Sequence, residues 1–473
     1  MNVFCFALAL LLPLIIGFLL VLLCWPEKTV SPPLMWCQLC LSAGIGLGIS
    51  SFTSFLTLLL AGTANIFVTF LLEAGLISLF IILLRRRQQP LFPILIRHDE
   101  ETNVLTRILA IAFYLSLILA IGFFMLRSIE NPHGEPDAWT FWNLRARLFF
   151  RSGVQWREIF SQGNWPFPKY PQLLPMNIVR LWSAFGRETF AGAIAIAFMF
   201  TFATIGLLTS ALILFRGRSQ GYLAGLLLTS TPYFLKHGAS QYADIPFGCY
   251  VLMTLLLFLI RDKHPQHPSG LLVLTGISAG LSTWTKEEGW LLLAAILTAR
   301  EIVLVLFRAR MRDIFQEIRG FFSGYLPIFL MMISFRIFIA PPSTPFSRQI
   351  TLFEQCTDFS RYFITARAFL KMFLEPYSLV LSVPIAIFFV YGIFAGITLS
   401  QIRHPGVLTV LLVLGEMMIG YFFVYITTPQ DLPWLIATTL NRLFLQLWSS
   451  SIFIALLLIN SPESKGHYRL YFS

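Results

Sequence analysis

The sequence predicts an all-α polytopic membrane protein with about thirteen spanning helices, within a range of about 11–13, and three observations carry that prediction. First, 57% of the 473 residues are hydrophobic and only 12% are charged, too little polar surface to cover a water-soluble globule. Second, apolar runs of about 20 residues, the length that crosses a bilayer, recur along the whole chain. Third, the basic residues sit in short clusters between those runs: Arg85-Arg86-Arg87, Arg216-Gly217-Arg218, Arg261-Asp262-Lys263, the Arg308/Arg310/Arg312 group, Arg403, and Lys465 with Arg469 in the tail. Counting the runs puts every cluster on one side, which the preference for cationic cytoplasmic loops makes the cytoplasmic side. The same pattern accounts for the net charge of +11 without nucleic acid, because loops facing anionic lipid and cytoplasm are expected to be basic.

The first run, residues 3–24, has no basic leader and no small-residue cleavage site, so it reads as an uncleaved membrane helix. Runs 38–60, 64–84 and 106–127 follow. Cys37-Gln38-Leu39-Cys40 has the spacing of a metal ligand pair, but no second pair or histidine cluster accompanies it. The six cysteines, at positions 5, 24, 37, 40, 249 and 356, lie mostly in or beside apolar runs and imply no disulfide framework. After the long polar segment 128–187 come the runs 188–215, 220–235, 243–260, 270–284, 289–307, 320–340, 377–399, 405–426 and 443–460, several of them short. No solenoid repeat, low-complexity tract or independently folding soluble segment interrupts them. Residues 1–460 therefore read as one transmembrane domain, with 461–473 as a cytoplasmic tail.

The side opposite the basic clusters receives segments 128–187, 236–242, 285–288, 341–376 and 427–442. The first is itself basic, with Arg145, Arg147, Arg151, Arg157 and Lys169. Long loops translocate largely regardless of charge, and an anionic ligand is one reason to keep cations there. Within it, "GEPDAWTFWNLRAR" spans residues 134–147. If 137–150 is helical, steps of about 100° put Trp139, Trp142, Ala146 and Phe149 in one sector and Asp137 opposite. The expectation is a juxtamembrane helix in the outer interface, its tryptophans at the water–lipid boundary and its acid turned toward the protein; a plain helix cap is the alternative for Asp137. Four more stretches on the same side, "FPKYPQLLP" at 167–175, "QYADIPFG" at 241–248, "WTKEEGW" at 284–290 and "TTPQDLPWLIATTLNRLFLQLW" at 427–448, place ionisable groups at the mouths of apolar segments. Each alone also reads as a cap or an interfacial anchor. Together they point to a site, since burying charge there is costly.

These motifs, in this order, resemble bacterial membrane glycosyltransferases of the GT-C superfamily: Asp137-Ala138-Trp139 with Arg145-Ala146-Arg147, Tyr170-Pro171 through Pro175, Tyr242-Ala243-Asp244-Ile245-Pro246, Thr285-Lys286-Glu287-Glu288-Gly289, and Asp431-Leu432-Pro433-Trp434 through Arg442. The nearest likeness is to the family-39-like branch, which includes protein O-mannosyltransferases and the lipid A aminoarabinose transferase, and it extends over roughly residues 35–460. The resemblance implies a GT-C-like fold, outer-face juxtamembrane helices within 128–187, a first outer loop whose acid is the base, and transfer of a sugar from a polyprenyl-phosphate donor to an acceptor on the non-cytoplasmic face. Glu287 stands where relatives often carry Asn, and Arg145 where a Lys is common, so one extra acid adjoins Lys286.

Such a transfer needs a base for the acceptor hydroxyl and cations for the departing phosphate. Asp137 suits the base, with Glu135 orienting the acceptor or favouring proton uptake through like charge. Arg145, Arg147, Lys286 and Arg442 suit the donor phosphate. Arg145 and Arg147 lie about 160° apart on a helix, so one of the two is expected to brace the fold. Asp244, Tyr242, Tyr170 and Glu288 are placed around the sugar or acceptor, with an N-terminal cap as the alternative for Asp244. Lone acids at 135, 137 and 244 do not specify a divalent metal, and neither a metal nor another cofactor is predicted. The expected partners are the lipid-linked donor, membrane lipid and an acceptor that is a lipid, glycan or protein, in a bacterial inner membrane; nucleic acid is not among them. A lipid phosphate is expected to neutralise Lys286 and Arg442; the alternative pairs Lys286 with a nearby acid and lets Arg442 snorkel to headgroups. The rival reading is a transporter or flippase of lipid-linked or glycan substrates, which is expected to show related halves and broken helices near the midplane. Only Glu73 and Glu416 stand out as intramembrane acids, and no half-repeat is visible. A ligase moving whole glycans and a scaffold without chemistry are further rivals, the scaffold disfavoured by the clustering of titratable groups.

Overall fold

The structure, a computed structural model, describes residues 2–25, 27, 29–96, 103–160, 169–263, 268–340, 352–374 and 390–461. Its helices are α1 (Asn2–Cys24), α2 (Pro32–Ala61), α3 (Ile66–Arg86), α4 (Val104–Glu130), α5 (Asn143–Ser152), α6 (Leu173–Phe185), α7 (Phe190–Arg216), α8 (Arg218–Thr229), α9 (Pro232–Ala239), α10 (Asp244–Lys263), α11 (Pro268–Thr285), α12 (Glu288–Leu306), α13 (Met311–Phe338), α14 (Leu352–Thr357), α15 (Phe359–Leu374), α16 (Pro405–Thr427) and α17 (Leu432–Leu458). A π-helical turn, Ala138–Trp142, leads into α5, and a 3₁₀ segment, Gly153–Phe160, follows it. Two-residue strands Thr29–Val30 and Ile94–Leu95 pair in parallel.

Ten helices among the described residues are long and apolar enough to cross a membrane: α1 to α4, α7, α10, α12, α13, α16 and α17. They match ten of the expected runs. Of the other three, run 220–235 is divided into α8 and α9 at Ser230-Thr231-Pro232, because Pro232 has no N–H to continue the helix. Run 270–284 is α11, an 18-residue helix about 27 Å long, close to the thickness of a hydrocarbon core. Run 377–399 falls mostly outside the described residues, as do 341–351 of the segment preceding it and the tail beyond 461.

Close packing of these helices relies on glycine, as expected where lipid supplies no hydrophobic drive between them. A Cβ on Gly17 of α1 would lie 1.9 Å from the Ser42 carbonyl oxygen of α2, and one on Gly46 would lie 1.8 Å from that of Pro13, so the two backbones touch. The most buried span is α10, from Asp244 to Ile260, apolar around nearly its whole circumference and therefore central. By contrast α3 and α4 present most of their apolar side chains outward, as lipid-facing helices do.

Buried ion-pair groups bind the bundle. Arg180 of α6 grips Glu73 of α3 with Nε at 2.8 Å and Nη2 at 2.6 Å, and the Thr53 hydroxyl adds a bond at 3.2 Å. Glu73 is thereby a structural acid. The second group lies at the end carrying the basic clusters: Arg300 of α12 meets Asp262 of α10 at 2.7 Å, Glu317 of α13 at 2.6 Å and Thr409 of α16 at 2.9 Å. Arg261 closes it with contacts to Asp262 at 2.7 Å and Glu317 at 3.1 Å. Glu416 on α16 accepts a hydrogen bond from Thr298 of α12.

Candidate active site

The opposite end of the bundle gathers the sequence-predicted acids and cations. Asp244 opens α10, and Pro246 is accommodated in the first turn, where the missing N–H costs nothing. The break between α11 and α12 sets Lys286 and Glu288 beside it; a Cβ on Gly289 would fall 2.5 Å from Thr283 backbone, so this turn admits only glycine. From the other side α17 begins after Asp431, whose carboxylate accepts the Trp434 N–H at 2.9 Å, with Pro433 in its first turn. About three to four turns on, Arg442 and Gln446 share a face by their spacing of four.

Lys286, Arg442 and Gln446 meet on Asp244, which is fully buried. Lys286 Nζ lies 2.9 Å from Oδ1, Gln446 Nε2 donates to Oδ1 at 2.7 Å, and Arg442 donates to Oδ2 from Nε at 3.0 Å and Nη2 at 2.9 Å. Asp244 is thus held by its side chain inside a polar cluster and does not act as a simple cap. Lys286 also contacts Glu288 at 2.8 Å, and Gln446 reaches Glu288 at 3.4 Å while accepting from the Tyr421 hydroxyl at 2.7 Å. Burial opposes a charge on Lys286, but Asp244 and Glu288 outweigh it and hold the ammonium above its ordinary range.

Asp137 reaches this cluster from the first loop: Arg442 Nη2 lies 2.6 Å from Oδ2 of Asp137 as well as 2.9 Å from Asp244. One guanidinium bridges two acids, and its plane also lies over the Tyr242 ring, 4.7 Å from the centroid. The loop is positioned by a lattice of bonds to the α9–α10 linker. Glu135 N–H donates to the Ser240 carbonyl at 3.2 Å, Asn143 Nδ2 to Gln241 Oε1 at 2.7 Å, Gln241 Nε2 to the Pro132 carbonyl at 3.1 Å, and Asp137 N–H to the Tyr242 hydroxyl at 3.4 Å. Gly134 makes the approach possible, with φ of 74° and no room for a Cβ, which would lie 2.6 Å from the Ser240 oxygen. Asp137 makes no side-chain cap bond to the following turn. Burial pushes the Tyr242 phenol up to about 12, so it stays a neutral donor and acceptor.

The remaining predicted residues lie in other contacts. Glu135 pairs with Arg127 of α4 at 2.9 Å and stands 3.9 Å from Lys236. Arg147 pairs with Glu188 at 3.0 Å, alongside Arg151; it is the brace expected of one of the two arginines. Arg145 is buried, donates to the Tyr170 carbonyl at 2.9 Å and covers the Tyr170 ring at 5.5 Å. Burial drops its guanidinium to about 10 and lifts the Tyr170 phenol to about 12. The tryptophan stripe faces inward, a correction to the lipid-boundary expectation. Trp142, Ala146 and Phe149 are buried, with Trp142 stacked on Tyr170 at 5.9 Å and Phe149 against Trp156 at 6.0 Å, while only Trp139 of that sector is exposed. The periodicity is helical, but the loop folds back over the bundle and buries that face. Lys286 and Arg442 are both paired with the protein's own acids, Asp244 with Glu288 for the lysine and Asp244 with Asp137 for the arginine, so neither cation stands unpaired. Glu287, the residue added beside Lys286, is ion-paired with Arg336 of α13, whose guanidinium covers Trp290 at 5.4 Å. Gln446 and Tyr421 escaped the sequence reading; the spacing of four between Arg442 and Gln446 is the one signal that exposes Gln446.

Residues 174–338 match the family model described as dolichyl-phosphate-mannose-protein mannosyltransferase. The match includes Asp244, Lys286 and Glu288 and leaves Asp137 and Arg442 outside. No curated protein matches the chain. The crystal structure of ArnT from Cupriavidus metallidurans in the apo state aligns with a TM-score of 0.43 at 16% identity, over 73% of this chain and 58% of that one. The chain thus spans less than two thirds of that structure's length. Over residues 174–338 the chain is similar to the dolichyl-phosphate-mannose-protein mannosyltransferases, and with that match the resemblance to the GT-C superfamily carried by its motifs stands.

Proposed function

We propose that the protein is a membrane glycosyltransferase that takes a sugar from a polyprenyl-phosphate donor and passes it to an acceptor hydroxyl at the non-cytoplasmic face. The observation that carries this reading is the single guanidinium of Arg442 shared between Asp137 and Asp244, with Lys286 on the other oxygen of Asp244. Two cations and two acids from distant parts of the chain meet at the end of the bundle opposite the basic clusters. A donor phosphate competes with Asp137 for Arg442, and its arrival frees the carboxylate. The acceptor hydroxyl then bonds to the anomeric carbon while its proton passes to Asp137. The bond from that carbon to the phosphate oxygen breaks, and its electron pair stays on the phosphate, where Arg442 and Lys286 stabilise the added charge. Asp244, Gln446 and Glu288 hold the two cations in place.

The transporter reading draws on one observation, the interruption between α8 and α9. Its polar groups are met internally: Ser230 N–H bonds to the Leu226 carbonyl at 2.8 Å, the Thr231 hydroxyl to that of Leu227 at 2.8 Å, and Trp448 Nε1 to Thr231 Oγ1 at 3.2 Å. Such a closed break favours a structural kink over an ion site.

Identifying the lipid that co-purifies with the chain by mass spectrometry, and incubating the chain with a labelled polyprenyl-phosphate sugar in membranes that contain its native acceptor, tests the proposal. Release of polyprenyl phosphate with label gained by an acceptor supports it; label recovered as intact donor on the opposite leaflet supports transport instead.

A further inference from the structure

The break between α8 and α9 leaves a polar group beside the site that the chemistry above does not use. Tyr233 is the second residue of α9, directly after Pro232. Because Pro232 cannot extend α8, the chain restarts there, and α9 sets Tyr233 and His237 on one face by their spacing of four. The His237 ring lies 4.1 Å from the Tyr233 ring, and its Nδ1 lies 3.2 Å from the Tyr233 carbonyl oxygen. The same imidazole meets Tyr242 edge-on at 5.6 Å, and the Tyr242 ring in turn lies against the Arg442 guanidinium. His237 is buried, and burial drops it to about 4, so the ring that joins the two tyrosines is neutral.

The protein fixes the Tyr233 ring and leaves its hydroxyl open. Tyr233 is partly exposed, its hydroxyl makes no hydrogen bond among the described residues, and the oxygen is not sealed in the interior. Burial holds the phenol above its ordinary value; Asp244 adds to that, ahead of the opposing Arg442, with Tyr242 and Glu135 behind. These neighbours place the hydroxyl beside the acid–cation cluster, and the direction of the shift keeps it a hydrogen-bond donor. Asp244 has no room for it. Of the roughly four acceptor positions of a carboxylate, Lys286 and Gln446 occupy those on Oδ1 and two N–H groups of Arg442 those on Oδ2. Glu135 is turned to Arg127 at 2.9 Å and Lys236 at 3.9 Å. A donor held rigidly near Arg442, with the neighbouring acids engaged elsewhere, suits an oxygen that a ligand brings. Phosphate fits best, because its oxygens only accept and Arg442 draws an anion to this place.

We infer that Tyr233 is a further contact for the donor phosphate, its hydroxyl donating a hydrogen bond to an oxygen of the phosphate that Arg442 holds. The inference rests on the transferase reading. No proton leaves the phenol: as the bond from the anomeric carbon to the phosphate oxygen breaks, the electron pair adds charge to the phosphate and the hydrogen bond from Tyr233 strengthens. His237 serves it as a positioning residue, through the Tyr233 ring and carbonyl together.

Tyr233→Phe removes the hydroxyl and keeps the ring on His237, so its melting temperature should equal that of the wild type. Calorimetry on the full chain in detergent, with farnesyl phosphate as the probe, should show about ten-fold weaker binding by Tyr233→Phe, the worth of one hydrogen bond to a charged group. Farnesol, which has the same tail and no phosphate, should bind both proteins alike. Tyr114→Phe, at an exposed tyrosine on α4, is the comparison and should match the wild type throughout. Equal farnesyl phosphate affinity in wild type and Tyr233→Phe, an equal loss for farnesol, or a lowered melting temperature overturns the inference. Equal affinity with turnover of the polyprenyl-phosphate sugar intact removes Tyr233 alone and leaves the transferase reading standing. Tyr233-dependent binding of farnesyl phosphate without any turnover keeps the phosphate contact and removes the transferase reading; no binding by the wild type removes both.

Discussion

Replacing Asp137 with Asn separates the proposed base from a purely structural acid, because the two roles move two observables in different directions. The amide keeps the size of the carboxylate and can still accept one bond from Arg442, but it takes up no proton from the acceptor. Losing a general base costs about 10²–10⁴-fold in turnover. At the same time Arg442 loses one of its two anionic partners. The Asp137 side chain is 28% exposed and that of Arg442 16%, so solvent screens the pair and its worth is about 1 kcal/mol, near the top of the range for exposed pairs. A donor phosphate no longer has to displace that ion pair, and its affinity should rise about five-fold. The assay reads turnover of a labelled polyprenyl-phosphate sugar in membranes containing the native acceptor, and polyprenyl-phosphate affinity by calorimetry on the purified chain. Turnover near wild type removes Asp137 from the base role. A fall in polyprenyl-phosphate affinity refutes the competition for Arg442, since the carboxylate would then be helping to bind the donor.

Arg442→Lys retains the charge but loses the fork that reaches Asp244 from both Nε and Nη2; donor use is expected to fall one to two orders of magnitude, about 1.4–2.8 kcal/mol, read as the donor concentration at half-maximal turnover. Glu73→Gln leaves Arg180 buried without its counter-charge and should destabilise the fold by about 3–5 kcal/mol, seen as early unfolding in a detergent titration, while Glu73→Gln protein that remains folded keeps its polyprenyl-phosphate affinity. Cysteines placed at the exposed positions Val154 and Arg308 should react with an impermeant maleimide from opposite sides of sealed vesicles; reaction from the same side would overturn the orientation assigned to the site.

Much of this architecture is written in composition and periodicity. Ten spans follow from runs of apolar residues about 20 long, and α8–α9 and α11 differ from expectation for local reasons: a proline that stops one helix, and a helix of minimal length in the other. The direction in which Trp142 and Phe149 point was not legible, because a helical stripe gives a face and not its partner; only the return of the chain through Tyr170 and Trp156 shows that the face is covered. At the site, Asp137, Asp244, Lys286 and Arg442 are visible in the sequence as costly charges at the mouths of apolar runs. Their mutual pairing is not, since Asp244 and Arg442 are separated by 198 positions and nothing local couples them. Glu135 and Arg147 drew attention by type and proximity in sequence, and tertiary structure gave them Arg127 and Glu188 instead.

The cross-bolt of Arg300, Asp262 and Glu317 makes the bundle a lever with its fulcrum far from the chemistry. Asp262 and Asp244 stand on the same helix, 18 residues apart by their numbers, a separation of about 27 Å. A rotation of about 1° around the bolt therefore swings the Asp244 carboxylate by roughly 0.5 Å, the tolerance within which a catalytic constellation holds. Fine alignment of the acids thus depends on rigidity at the remote end as well as on the partners that hold Asp244 directly, and loosening Arg300 should detune a reaction it never touches.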